Sequence, residues 1–188
     1  EAIGYRHMNV RTLCLGILML DDASGYEIKK AVEDGMFAHF IDASYGSIYP
    51  ALTQMLADGQ VSVREESHPG KPPKKVYSIT PEGRIALRKA LHVTARQDKY
   101  KSEFLFQTLF KHELTPQHLA EVFDGQLAYL RRELAQVEDC SAQAEPGSGH
   151  MFVNGYGQAV LSAAIDYMEN ARASLGLDPE NDARNAAE

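Results

Sequence analysis

The sequence predicts a mostly helical protein of the α+β class. Its first domain is read as helices around one small hairpin, and its second as helices alone. Three observations lead there. Apolar residues recur at helical spacing over most of the chain. Residues 61–79 switch to β-branched alternation broken by Pro69, Gly70, Pro72 and Pro73, the composition of two strands and a turn. Charge also divides. Residues 1–92 hold 11 basic and 11 acidic side chains and residues 93–188 hold 8 and 15, so the net −7 lies in the second half.

The bulk numbers narrow the class further. At 188 residues there is material for one packed domain or two small ones. The apolar content of 44% and charged content of 24% are ordinary for a globular chain. The longest apolar run, Leu13 to Leu20, falls far short of the ~20 residues that span a bilayer, and no signal-peptide pattern precedes it. The expected location is the cytoplasm, with no membrane partner. Cys14 lies inside the apolar run and reads as a buried thiol; it and Cys140 are too far apart to suggest a disulfide.

Element by element, residues 1–7 are set aside as a cloning junction or an unstructured N-terminus, because Met8-Asn9-Val10 reads as a natural start. Val10 to Leu20 is apolar nearly all round, a buried first helix ended by Asp21 and Asp22. Ser24-Gly25-Tyr26-Glu27 has capping-box spacing, so a second helix runs from Gly25 to about Asp34 and stops at Gly35. Ser47 is the next cap candidate, with Pro50 in the first turn of a third helix. Ile48, Leu52, Met55 and Leu56 define its buried face, Tyr49, Thr53 and Gln54 the opposite one, and Gly59 its end. Val61 to Glu65 and Val76 to Ile79 are the strands, and Thr80-Pro81-Glu82 starts a fourth helix. Beyond it, Lys99 to Lys111 reads as a helix, and Thr115-Pro116 starts another with a seam of Phe123, Leu127, Leu130, Leu134 and Val137. After a loop at Pro146 to Gly149, the last helix repeats Gly157, Leu161, Ala164, Met168, Ala171 and Leu175 in steps of four and three. This small-and-large seam is assigned to a contact between subunits, against the alternative of packing within one chain. Gly176 and Pro179 stop it. The domains are thus residues 8–95 and 96–176, followed by a flexible tail at 177–188.

Helix, helix, helix, strand, turn, strand, helix is the order of a winged helix-turn-helix. In that design one helix fits the major groove, where every base pair shows a distinct donor and acceptor pattern, and the hairpin sets cations on the neighbouring backbone. Ser24-Gly25-Tyr26-Glu27-Ile28, Ser44-Tyr45-Gly46-Ser47-Ile48-Tyr49-Pro50-Ala51-Leu52, Gly70-Lys71-Pro72-Pro73-Lys74-Lys75-Val76-Tyr77 and Thr80-Pro81-Glu82-Gly83 together resemble the PadR family of transcriptional regulators, over roughly residues 10–92. The helical second half is similar to that family's dimerisation region in layout only.

The resemblance implies a homodimer on a near-palindromic operator of double-stranded DNA, usually repressing transcription, and it leaves open release by a small aromatic effector. It places the DNA-binding surface at Ser44, Tyr45, Ser47, Tyr49 and Thr53, with Lys71, Lys74 and Lys75 on phosphate. Plainer roles stand beside these: Ser47 serves equally as a helix cap, Tyr45 as core packing, and the lysines as a solvated turn. Basic wing positions that are often arginine in the family are lysines here, and Val76 stands where an aromatic is frequent. Lysine meets phosphate as a point charge without a bidentate fork, so the wing is expected to clamp backbone.

Catalysis has little to build on. The histidines are scattered, and no metal-ligand spacing, Walker A or G-x-S-x-G pattern is present, so no enzyme, cofactor or metal site is expected. Aromatics from Tyr100 to Tyr167 are numerous enough to line an effector pocket, although such residues more often form core. The alternative to DNA binding is a protein–protein adaptor using the winged fold as a scaffold.

Overall fold

A computed structural model describes residues 8–33, 37, 40, 45–67, 73–142 and 144–177. It falls into two compact units, one through Asp98 and one from Lys99.

The first unit is built from α1 (Val10–Leu20), β1 (Ala23–Ser24), α2 (Gly25–Glu33), α3 (Tyr45–Ala57), β2 (Val61–Glu66), β3 (Lys74–Ile79) and α4 (Pro81–Leu91). Its core gathers Leu13, Cys14, Leu18, Ile28, Ile48, Leu52, Met55 and Val61. The all-round apolar character of α1 has a simple cause: α2, α3, α4 and β3 all pack against it. Burial pushes the Cys14 thiol up to about 12, so it is an inert part of the core. Asn9 caps α1 by accepting from the Thr12 amide at 3.0 Å.

The hairpin gains a third strand that the sequence did not show. β1 is only two residues long, too short for a period to register, yet it pairs antiparallel with β3 through Ala23↔Tyr77 and Ser24↔Val76. The sheet order is β1-β3-β2. The turn expected around Pro69, Gly70, Pro72 and Pro73 lies mostly outside the described residues, as does most of the stretch between α2 and α3.

Helix α3 departs from expectation at both ends. It starts at Tyr45, so Ser47 is its third residue and not its cap, and Pro50 falls in the second turn. There the missing N–H leaves the Gly46 carbonyl without its usual donor one turn on. Leu56 is 41% exposed, and Ala51 is buried beside Ile48, Leu52 and Met55 in its stead. With the start shifted, 48, 51, 52 and 55 form the inward stripe.

The C-terminal end of α3 is tied to the start of α4. Gly59 is left-handed (φ +69°). The Gln60 amide donates to the Met55 carbonyl at 2.8 Å and the Gly59 amide to Leu56 at 3.1 Å, a Schellman turn. The Gly59 carbonyl then accepts from the Thr80 hydroxyl at 2.7 Å, and the Gln60 carbonyl from the Thr80 amide at 3.1 Å. Thr80 also caps α4 by accepting from the Gly83 amide at 3.1 Å. A Cβ on Gly83 would sit 2.1 Å from the Gln60 carbonyl oxygen, so only glycine allows this approach of two backbones.

The second unit holds α5 (Glu103–Leu109), a 3-10 turn (Lys111–Glu113), α6 (Pro116–Ser141), α7 (Gly149–Ala171) and a second 3-10 turn (Ala173–Leu175). The helix expected over residues 99–111 is shorter, capped at Ser102 and finished by Phe110. Leu119, Phe123, Leu127, Ile165 and Met168 form the core between α6 and α7. Leu177, read from the sequence as the start of a loose tail, is only 2% exposed and belongs to this core. Arg172 donates to its carbonyl at 3.0 Å, reaches Asp124 at 2.6 Å and stacks 5.1 Å over the Phe123 ring.

The seam assigned to a contact between subunits is spent largely within the chain. Met168 is buried in the core and Leu175 packs against it. A Cβ on Gly157 would touch Val137 of α6 at 3.6 Å, while Leu161, Ala164 and Ala171 are half-buried. An amphipathic helix covers its stripe with the nearest apolar partner first, and α6 is that partner. The surplus apolar surface lies elsewhere: α5 buries none of its residues, and Phe106, Leu109, Phe152 and Tyr156 are exposed. Among the described residues, no helix is long and apolar enough to cross a membrane.

Two glycines separate close approach from ordinary helix packing. Gly83→Ala is expected to cost about 2–3 kcal/mol, because backbone must move. Gly157→Ala is expected to stabilise by up to about 1 kcal/mol, because the added methyl meets Val137 at ordinary contact distance and alanine is the better helix former. Urea unfolding midpoints of the two variants check both signs.

Candidate nucleic-acid interface

The outer face of α3 is polar and accessible. Tyr49 is 42% exposed, Thr53 and Gln54 are exposed, and Ser47 is half-buried. The Thr53 hydroxyl donates back to the Tyr49 carbonyl at 3.0 Å. Gln54 is turned along the helix, donating to Asp58 at 2.9 Å. Asp58 also accepts from Arg11 of α1, which ties the C-terminal end of α3 to the first helix. Tyr45 opens α3; Ser44 lies outside the described residues.

Tyr49 is placed by the element before it. A Cβ on Gly25, the first residue of α2, would lie 2.6 Å from the Tyr49 ring and 3.1 Å from its hydroxyl oxygen. The ring therefore rests on bare backbone at the start of α2, and any larger residue at 25 displaces it.

The capping box at that start forms as expected. The Ser24 amide donates to Glu27 Oε2 at 2.8 Å and the Glu27 amide to Ser24 Oγ at 3.2 Å. What the sequence could not show is the use of the other carboxylate oxygen. Glu27 Oε1 accepts from Lys74 Nζ at 2.8 Å, across 47 positions of sequence. Lys74, expected on phosphate, is held by an internal carboxylate. A second pair lies nearby: Arg64 of β2 donates to Asp22 at 2.5 Å, just before β1, and to Ser78 at 2.9 Å. Lys75 is exposed and stands opposite Glu65 in the strand register, while Lys71 lies outside the described residues. Of the eight side chains expected on DNA, Ser47, Tyr49 and Thr53 share α3, and Lys74 and Lys75 share β3. The pairing of Asp22 with Arg64 and of Glu27 with Lys74 is not visible in the sequence, because only the fold brings Asp22 and Glu27 to the wing strands.

Residues 14–89 match the model of the transcriptional regulator PadR-like family. Over this stretch the chain is similar to that family. The likeness extends past it. The negative transcriptional regulator PadR of Bacillus subtilis (strain 168) is 28% identical over 139 residues, 71% of this chain and 76% of that protein. The protein smu.1604c from Streptococcus mutans UA159 superposes with a TM-score of 0.75 at 25% identity, covering 88% of this chain and 99% of its own. The PadR-like transcriptional regulator BC1756 from Bacillus cereus gives 0.72 at 26%, over 89% of this chain and 98% of its own. Bacillus subtilis PadR has been crystallised in complex with operator DNA and in complex with p-coumaric acid; the first of these structures shares the fold with a TM-score of 0.70.

The wing carries a titration signature. The Lys74 bond, then the Ser24 amide and hydroxyl, lower the Glu27 carboxyl from 4.5 to about 2. A carboxyl lowered by folding adds stability that is fully present above its unfolded value and lost as pH falls through its folded value. Both partners are about half exposed, so screening keeps the ion pair near about 0.2–1 kcal/mol. Glu27→Gln should therefore be less stable than wild type at pH 7, with the gap closing between about pH 5 and pH 2. Unfolding midpoints measured over that range check this.

Proposed function

We propose that this chain is a homodimeric, DNA-binding transcriptional repressor that reads a near-palindromic operator with α3 and clamps neighbouring phosphates with the wing, acting by binding and not by catalysis. The observation that carries the reading is the accessible polar face of α3, with Tyr49 seated on Gly25 and Thr53 exposed one turn on. A helix of this kind in the major groove distinguishes all four base pairs. Ser44, Tyr45, Ser47, Tyr49 and Thr53 are the proposed contacts of the helix, and Lys71 and Lys75 those of the wing. Support from relatives is direct in kind: Bacillus subtilis PadR binds operator DNA, and its complex with p-coumaric acid supports a small aromatic effector here.

The second copy is proposed to cover the apolar surface of the second unit, centred on Phe106 and Leu109 of α5. Phe106 stacks edge-on against Phe110 at 5.2 Å with both rings exposed, a costly display for a lone chain. Phe106→Glu combined with Leu109→Glu is expected to turn a dimer into a monomer in analytical ultracentrifugation.

DNA reading is tested by retaining genomic fragments on the purified protein at low and moderate salt and sequencing them. The expected result is a small set sharing a two-fold-symmetric motif. Lys71→Ala with Lys75→Ala should weaken binding to all duplexes and lower the salt slope by about one unit per lost phosphate contact. Folded, dimeric protein that enriches nothing at any salt overturns the reading and favours an adaptor.

A further inference from the structure

One short segment, residues 22–27, touches both parts of the proposed DNA surface. On one side, Gly25 supplies the bare backbone on which the Tyr49 ring of α3 rests. On the other, three separate bonds hold the wing strands: the β1–β3 pairing, Asp22 with Arg64 of β2, and Glu27 with Lys74 of β3. The Gly59–Gln60–Thr80 contact ties the other end of α3 to the base of the same two strands, so residues 22–27 are the second link, further out along the wing.

We propose that this segment is a clamp that fixes the wing against the reading helix, with Asp22 and Glu27 as positioning residues and with Arg64 and Lys74 as structural cations that do not neutralise phosphate. The inference rests on the DNA reading made above. Its physical basis is the state of the two carboxylates. Both oxygens of Glu27 are engaged, one by the Ser24 amide and hydroxyl and the other by Lys74. A carboxylate held at a helix N-terminus by its own cap has a defined position, and Lys74 is bonded to it there. A lysine already balanced by an internal carboxylate adds little to counterion release when DNA arrives. What the pair supplies is geometry. A dimer must place two helices and two wings at once, so an error in wing angle weakens the matched site while leaving sequence-independent attraction intact.

The two roles give opposite signatures. The probes are a fluorescein-labelled duplex carrying the motif retained in the genomic selection and a scrambled duplex of the same length and composition. Glu27→Gln is the main variant, because glutamine keeps the capping box and so the start of α2. Lys74→Gln is its partner, and Lys75→Gln the contrast. For a clamp, Glu27→Gln and Lys74→Gln each weaken the matched duplex about tenfold, the size of one mismatched base pair. Scrambled-duplex affinity is then unchanged or higher, the salt slope is unaltered, and the double variant is no worse than either single one. Lys75→Gln instead weakens both duplexes equally and lowers the slope. If Lys74→Gln behaves like Lys75→Gln, lowering the slope by about one and both affinities together, the clamp is overturned while the DNA reading stands. If wild-type protein fails to prefer the matched duplex, the DNA reading falls and the clamp with it. Circular dichroism melts of each variant, read against the assay temperature, separate loss of discrimination from loss of fold.

Discussion

The first unit turns on a contact between two stretches of backbone. The carbonyl of Gln60 sits where a side chain on Gly83 would have to be, and Thr80 bonds to both Gly59 and Gln60. That contact locks the end of α3 to the start of α4 and closes the hairpin between them. Val61 comes just after the lock on one side and Ile79 just before it on the other, and these two residues pair to open the β2–β3 ladder. The strand register is thus set at the lock and carried outward to the wing. At its other end α3 is held by the seat of Tyr49 on Gly25. A recognition surface needs its side chains fixed to a fraction of an ångström, and here the fixing falls to positions where a side chain is missing.

Much of this was legible in the sequence. Long apolar periods gave α1, α6 and α7, and the Thr80-Pro81 and Thr115-Pro116 starts gave α4 and α6 to the residue. The capping box at Ser24 gave the start of α2 with its bonding pattern. The features that escaped share a cause. β1 is defined only by its partner, and two residues carry no period. Helix α3 begins before Ser47 because a cap residue and a proline three positions later fit more than one start. Leu177 looked loose because the sequence after Gly176 turns polar, yet a single leucine can fold back onto Phe123 and Met168. The heptad seam of α7 is a stripe in the fold, with Met168 in the core against α6 and Leu161, Ala164 and Ala171 half-buried. Periodicity says that a face is covered and is silent on what covers it.

The site divides along the same line. Exposed residues on one helix, Tyr49 and Thr53, emerge from spacing alone. The balance of charge around the wing does not. A count of lysines in residues 71–75 suggests a uniformly basic surface, but Lys74 is met by Glu27. Charge counted along a chain overstates the field that a folded surface presents, since acids arrive from other elements to meet it.

Helix α5 carries a consequence for the life of the protein in a cell. Of the four large apolar side chains in its seven residues, only Phe104 packs against the core, and Leu105, Phe106 and Leu109 are exposed. A newly made copy displays Phe106 and Leu109 to water until something covers them. Surfaces of that kind are what chaperones hold and proteases select. The amount of lone subunit that can accumulate is then limited by quality control, and abundance comes to track assembly as well as synthesis.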